Sequence, residues 1–133
     1  MKKTLLLHAE LSHCIATLGH GDMLIIADAG LPIPAQVQRI DLAVSLGTPS
    51  LQAVLQAVLS EMQVERTLVA QEALVNEKTP DWYQAFVGQG LPKTFEAVSH
   101  EAFKKLSQQA RAIVRTGEAT PYANIILYSG VCF

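Results

Sequence analysis

The 133 residues, half of them hydrophobic, suffice for one compact domain, residues 1–133, with one core and little room for a second. A net charge of −2 without acidic or basic blocks offers no footprint for a phosphate backbone or an anionic lipid surface, so neither nucleic acid nor membrane is an expected partner. No stretch approaches the roughly 20 apolar residues of a membrane span. Cys14 and Cys132, far apart and outside any CxxC pairing, suit free thiols in a reducing, cytoplasmic setting.

Taken in chain order, Met1-Lys2-Lys3 before Leu5, Leu6 and Leu7 imitates a signal peptide, but His8 and Glu10 cut the run short and Leu5 to Leu7 reads as a first strand. Leu11, Ile15 and Leu18 recur at helical spacing over residues 9–18, with Gly19 as the left-handed residue that stops the helix. Met23 to Ala27 is a continuous apolar run ending at Asp28, so a buried strand delivers Asp28 to the loop Ala29 to Pro34. Ile40, Leu42 and Val44 alternate with polar or small residues as a weak strand ending at Gly47. Thr48-Pro49 reads as cap and first residue of a helix with Leu51, Leu55, Val58, Leu59 and Met62 on one face.

Thr67 to Ala70 is the next strand, and Thr79-Pro80 repeats the cap signal for a short helix carrying Trp82, Tyr83 and Phe86. A strand over Thr94 to Val98 leads to Ser99, which caps a helix beginning with His100 and Glu101. Ala112 to Val114 and Ile125 to Val131 close the sheet, with Gly117 to Asn124 as the loop between them. Apolar strands alternating with moderate helices predict an α/β domain of three layers, α/β/α, around a largely parallel or mixed sheet.

Polar residues concentrate at Gly19-His20-Gly21-Asp22 and, across one buried strand, at Asp28-Ala29-Gly30. His20, flanked by glycines, reads as an accessible acid/base group or as a surface histidine closing a helix. Asp28 lies where open α/β sheets bind ligands, outside a strand's carboxyl end, and equally where aspartate forms turns. His100 reads as a functional imidazole or a first-turn residue, and Tyr122, Ala123 and Asn124 as hydroxyl-binding groups or a turn. His8, His13 and His20 are unevenly spaced, with no HxH or HExxH pattern, and neither GxGxxG nor a Walker lysine is present; no metal and no cofactor is expected.

The string LGHGDMLIIADAGLPIP, residues 18–34, resembles the N-terminal signature of the D-ribose pyranase family. RIDLAVSLGTPS, EMQVE, SHEAF and RTGEATPYANIILYSGV follow in the family's order, so the resemblance spans nearly the whole chain and is weakest over residues 75–95. The related L-fucose mutarotases share GHGD but carry asparagine-aromatic-proline where this chain has Gly30-Leu31-Pro32. By matched motif, the resemblance implies that His20 is a proton donor and that Asp28, His100, Tyr122, Ala123 and Asn124 contact the sugar. It also implies D-ribose as substrate and a homodecamer of stacked pentamers, with the sugar pocket near a subunit boundary.

Pyranose and furanose forms interconvert through the open aldehyde, which needs one proton delivered to the ring oxygen and one removed from the anomeric hydroxyl. Histidine exchanges protons near neutral pH, and the helix ends around the two histidines favour His20 as acid and His100 as base or acceptor. This reading expects His20 and Asp28 beside one sugar.

Overall fold

Five consecutive apolar residues, Met23–Ala27 (β1), are all buried, and a strand apolar on both pleats needs cover on both faces of its sheet. The computed structural model describes residues 1–133 and places β1 inside a six-stranded sheet. The other strands are Gln38–Asp41 (β2), Val64–Ala70 (β3), Glu96–Val98 (β4), Ala112–Arg115 (β5) and Ile125–Ser129 (β6), in the order β2-β5-β1-β6-β3-β4. β6 runs antiparallel to β1 and β3, while the β2–β5, β5–β1 and β3–β4 pairs are parallel. The sheet is therefore mixed.

Helices Ala9–Thr17 (α1), Leu51–Leu59 (α2) and Asp81–Gln84 (α3) precede the last, His100–Leu106 (α4). Leu24 and Ile26 point into a core with Leu11 and Cys14 of α1, Leu51, Val54, Leu55 and Val58 of α2, and Tyr83 of α3. Met23, Ile25 and Ala27 point the other way, into a core with Phe103 of α4. Helix, sheet and helix form the three layers that the alternating pattern predicts.

Two caps position helices for function. Ser50 Oγ accepts from Ala53 N–H and starts α2, and Ser99 Oγ accepts from Ala102 N–H and starts α4, whose last turn carries Lys104 and Lys105 at the favourable end of the dipole.

Several expectations need correction. Leu5 to Leu7 form no strand: only Leu6 turns inward, and the chain passes directly into α1, where His8 Nδ1 accepts from Leu11 N–H as the cap. Gly19 is not the left-handed residue; Leu18 ends α1 in extended backbone, Asp22 Oδ2 accepts from Gly19 N–H, and Gly21 has φ +80°. Thr48-Pro49 lies outside α2 because Ser50 provides the cap, and β2 stops at Asp41, leaving Leu42 to Gly47 as a projecting turn.

The antiparallel course of β6 has a consequence for the site. Asn124, which precedes β6, comes to the same sheet edge as the residues that follow β1, β3, β4 and β5. Residues that precede β1 or follow β6 lie at the opposite edge.

Candidate active site

Asp28 follows β1 and is locked to Asn124 by reciprocal bonds: Asp28 N–H donates to Asn124 Oδ1 at 2.8 Å, and Asn124 Nδ2 donates to Asp28 Oδ2 at 3.0 Å. Gly30 N–H donates to Asp28 Oδ1 at 2.9 Å. Each carboxylate oxygen thus has one protein donor and keeps acceptor capacity for a ligand hydroxyl. Asn124 is fully buried and its amide belongs to Asp28, while Ala123 is buried beside it. Asn124 is placed to orient the carboxylate.

His100, first residue of α4, lines a cavity of about 290 Å³ with Asp28, Gly30, Leu31, Pro121 and Tyr122. Its ring meets Tyr122 edge-on, centroids 5.1 Å apart, and lies nearly parallel to Phe103. Nδ1 is buried without a hydrogen-bond partner, which leaves Nε2 as the ring nitrogen free to meet a ligand. Buried N–H groups without acceptors are rarer than underused acceptors, so the geometry favours the tautomer protonated at Nε2, a donor to such a ligand. Both carboxylate oxygens of Glu72 accept from His100 N–H, at 3.1 and 2.9 Å, and this bond holds the Glu72 carboxyl below its ordinary range.

Tyr122 adopts φ 63°, a left-handed conformation that bulky residues rarely take and that concentrates at functional sites. The loop that imposes it is folded around Glu118. Oε1 accepts from Ala119 N–H and Thr120 N–H, both at 3.0 Å, and Oε2 accepts from Leu51 N–H at 3.1 Å. Burial pushes this carboxyl up, but the N–H groups of Thr120 and Leu51 outweigh it and hold it below the ordinary glutamate value.

From the other side, Glu118 C=O accepts from Ala29 N–H, Arg115 Nε donates to Ala29 C=O at 3.0 Å, and Arg115 also pairs with Asp41. The loop carrying Asp28 is thereby fixed between β5 and β6. A larger cavity of about 610 Å³ shares Pro121 with the first and runs past Glu118 and Thr120 to Trp82.

His20 is elsewhere. It precedes β1 while Asp28 follows it, and the five strand residues between them span about 16 Å. Its side chain is 61% exposed, and Nε2 lies 2.8 Å from Glu65 Oε2. One copy of the chain thus gathers Asp28, His100, Tyr122 and Asn124 but does not bring His20 to them, contrary to the expectation of His20 and Asp28 beside one sugar. A strand that connects two residues end to end also holds them apart.

Sequence reasoning missed Glu65, Glu72, Arg115 and Glu118 as supports. Glu65 and Glu118 lie in the quoted strings EMQVE and RTGEATPYAN, but glutamate on a strand or in a loop carries no local sign of its partner. No three His, Cys, Asp or Glu side chains converge as a metal site requires, and no helix is long and apolar enough to cross a membrane.

Residues 1–132 match the RbsD / FucU transport protein family. The chain is 58% identical to a D-ribose pyranase of Paracidovorax citrulli, with both chains covered completely. Among solved structures, Bacillus subtilis RbsD complexed with D-ribose superposes with a TM-score of 0.87 at 41% identity, covering 100% of both chains. The fucose mutarotase of Streptococcus pneumoniae in complex with L-fucose superposes with a TM-score of 0.82 at 26% identity, again over 100% of both. With matching sequence from end to end and the same sheet and helices, this chain belongs to the RbsD / FucU family.

Proposed function

We propose that this chain is an isomerase that interconverts the pyranose and furanose forms of D-ribose. The observation that carries the reading is the convergence of the Asp28 carboxylate, the His100 imidazole and the Tyr122 phenol on one small cavity. Such a set offers an acceptor and donors to adjacent hydroxyls of a neutral sugar. The full-length likeness to D-ribose pyranases supports ribose, and the identity is higher to the ribose-bound neighbour than to the fucose-bound one.

In ring opening, Asp28 accepts the proton of the anomeric hydroxyl as the bond from C1 to the ring oxygen breaks, and an imidazolium proton passes to that oxygen. The products are the open aldehyde, a free 5-hydroxyl, a protonated Asp28 and a neutral imidazole. After rotation of the chain the 4-hydroxyl attacks C1 and gives its proton to the imidazole, while Asp28 returns its proton to the carbonyl oxygen. The catalyst ends as it began. His100, through Nε2–H, holds a sugar oxygen.

His20 is the proton donor in this reading, and because its own chain holds it at the far sheet edge, it comes from a second copy. The turn beside Asp28 supports a subunit boundary there: Val44 and Leu46 are 84% and 80% exposed, and Leu46 lines a depression with Asp28, Ala29 and Gly30. Scattered apolar side chains need no explanation, but two on one projecting turn next to the site fit a covered surface. We extend the proposal to a single domain over residues 1–133, a homodecamer of stacked pentamers and a cytoplasmic location.

NMR saturation transfer on ribose with catalytic protein tests the reading. Faster exchange between pyranose and furanose signals is expected, whereas exchange accelerated for L-fucose but not for ribose would move the chain to the mutarotase reaction.

A further inference from the structure

We infer that Glu65 is the positioning residue of His20, an inference that rests on the proposed role of His20 as proton donor. The sheet itself aims this carboxylate. Val64 pairs with Ser129 and Arg66 with Tyr128, so β3 has three residues where β6 has two, and Glu65 is the extra one. A bulged residue leaves the ladder's alternation and its side chain is redirected, a device common beside functional sites.

The surroundings are arranged to match. A Cβ at Gly130 would come within 3.0 Å of the Glu65 Cβ, so a glycine here leaves room for the glutamate stem. Gly21, left-handed at φ +80°, donates its N–H to Ser129 C=O at 2.8 Å and moors the His20 turn to the end of β6. Arg66, the nearest cation in sequence, is occupied by Glu96 at 2.8 Å and by the Tyr128 ring, so it does not compete for Glu65. The Glu65 carboxylate is left to His20.

A carboxylate accepts only, so it fixes a proton on His20 Nε2 and makes Nδ1 the nitrogen that exchanges protons with the sugar. In the opening step the Nδ1 proton passes to the ring oxygen, and in the closing step Nδ1 takes the proton of the attacking hydroxyl. Throughout, Nε2–H stays on Glu65. The carboxylate neither gains nor loses a proton.

The test uses the full chain with Glu65→Ala and Glu65→Gln, ribose exchange kinetics, and ¹⁵N spectra of histidine-labelled protein. Glu65→Ala is expected to lower kcat on the order of tenfold with KM changed less than about twofold, Glu65→Gln recovering part of the loss. Neutral His20 should carry its proton on Nε2 in the wild type and lose that preference in Glu65→Ala. Wild-type His20 protonated on Nδ1, or unchanged exchange in Glu65→Ala when His20→Ala abolishes it, overturns the role of Glu65 and leaves the enzymatic reading intact. Unchanged exchange in His20→Ala overturns both.

Discussion

Asp28 and Asn124 are 96 residues apart in sequence and bound to each other twice, backbone N–H to side-chain oxygen and side-chain nitrogen to carboxylate. The carboxylate that the proposed reaction needs is therefore oriented by an amide that itself never faces the cavity. Asn124→Ala removes both bonds and leaves Asp28 underpaired, at a cost of about 1–3 kcal/mol by the usual penalty for stranding a partly buried polar group. Denaturant unfolding should show this loss, and ribose titration a weaker affinity.

The same amide distinguishes charge from shape. Asn124→Asp keeps the volume but places a second carboxylate against Asp28, and like charges at hydrogen-bond distance destabilise each other. It should bind ribose less well than Asn124→Ala at neutral pH and recover toward it as the medium is acidified, measured by calorimetric titration over a pH series.

Glu118 links stability to pH. Its carboxyl lies below the ordinary glutamate value in the fold, so the stability it adds is fully present above that ordinary value and is lost as pH falls through the lowered one. Melting temperature should therefore fall more steeply on acidification in the wild type than in Glu118→Gln, which starts lower at neutral pH. A parallel fall in both proteins would remove Glu118 from the account.

Gly117 lies where a Cβ would collide with the carbonyl oxygens of Ser45 and Thr48, and it exchanges backbone bonds with Gly47 and Pro49. Gly117→Ala must push the projecting turn away from the Glu118 loop, costing about 1–3 kcal/mol as overpacking does. Differential scanning calorimetry reads that loss, and ribose exchange should drop with it because the turn flanks Asp28.

Leu46→Glu places a charge on the exposed turn without touching either core. The folded chain should survive with an unchanged circular dichroism spectrum while light scattering reports a smaller assembly and ribose exchange falls. An intact assembly would show that the turn lies outside any subunit boundary.

Much of the fold was legible in the sequence because its signals are local. The apolar run 23–27, the Ser99 cap and the one-sided face of α2 each follow from burial periodicity or a single capping hydroxyl. Leu5 to Leu7 misled because three leucines look alike whether they pair in a sheet or rest one side chain on a core. The residue types of the candidate site could be named from the sequence, but not their grouping. Asp28 and His100 share a cavity only because β1 and β4 point the same way in the sheet, whereas His20 and Asp28, close in sequence, are held at opposite ends of a rigid strand.

The most direct test of a site shared between copies is complementation. His20→Ala and Asp28→Ala proteins, each inactive alone, are mixed, dissociated and reassembled, and ribose exchange is followed by saturation transfer. Random pairing joins an intact Asp28 site to an intact His20 in about one quarter of the boundaries of a symmetric assembly, so exchange should return to about one quarter of the wild-type rate. A mixture as inactive as its components would contradict the account.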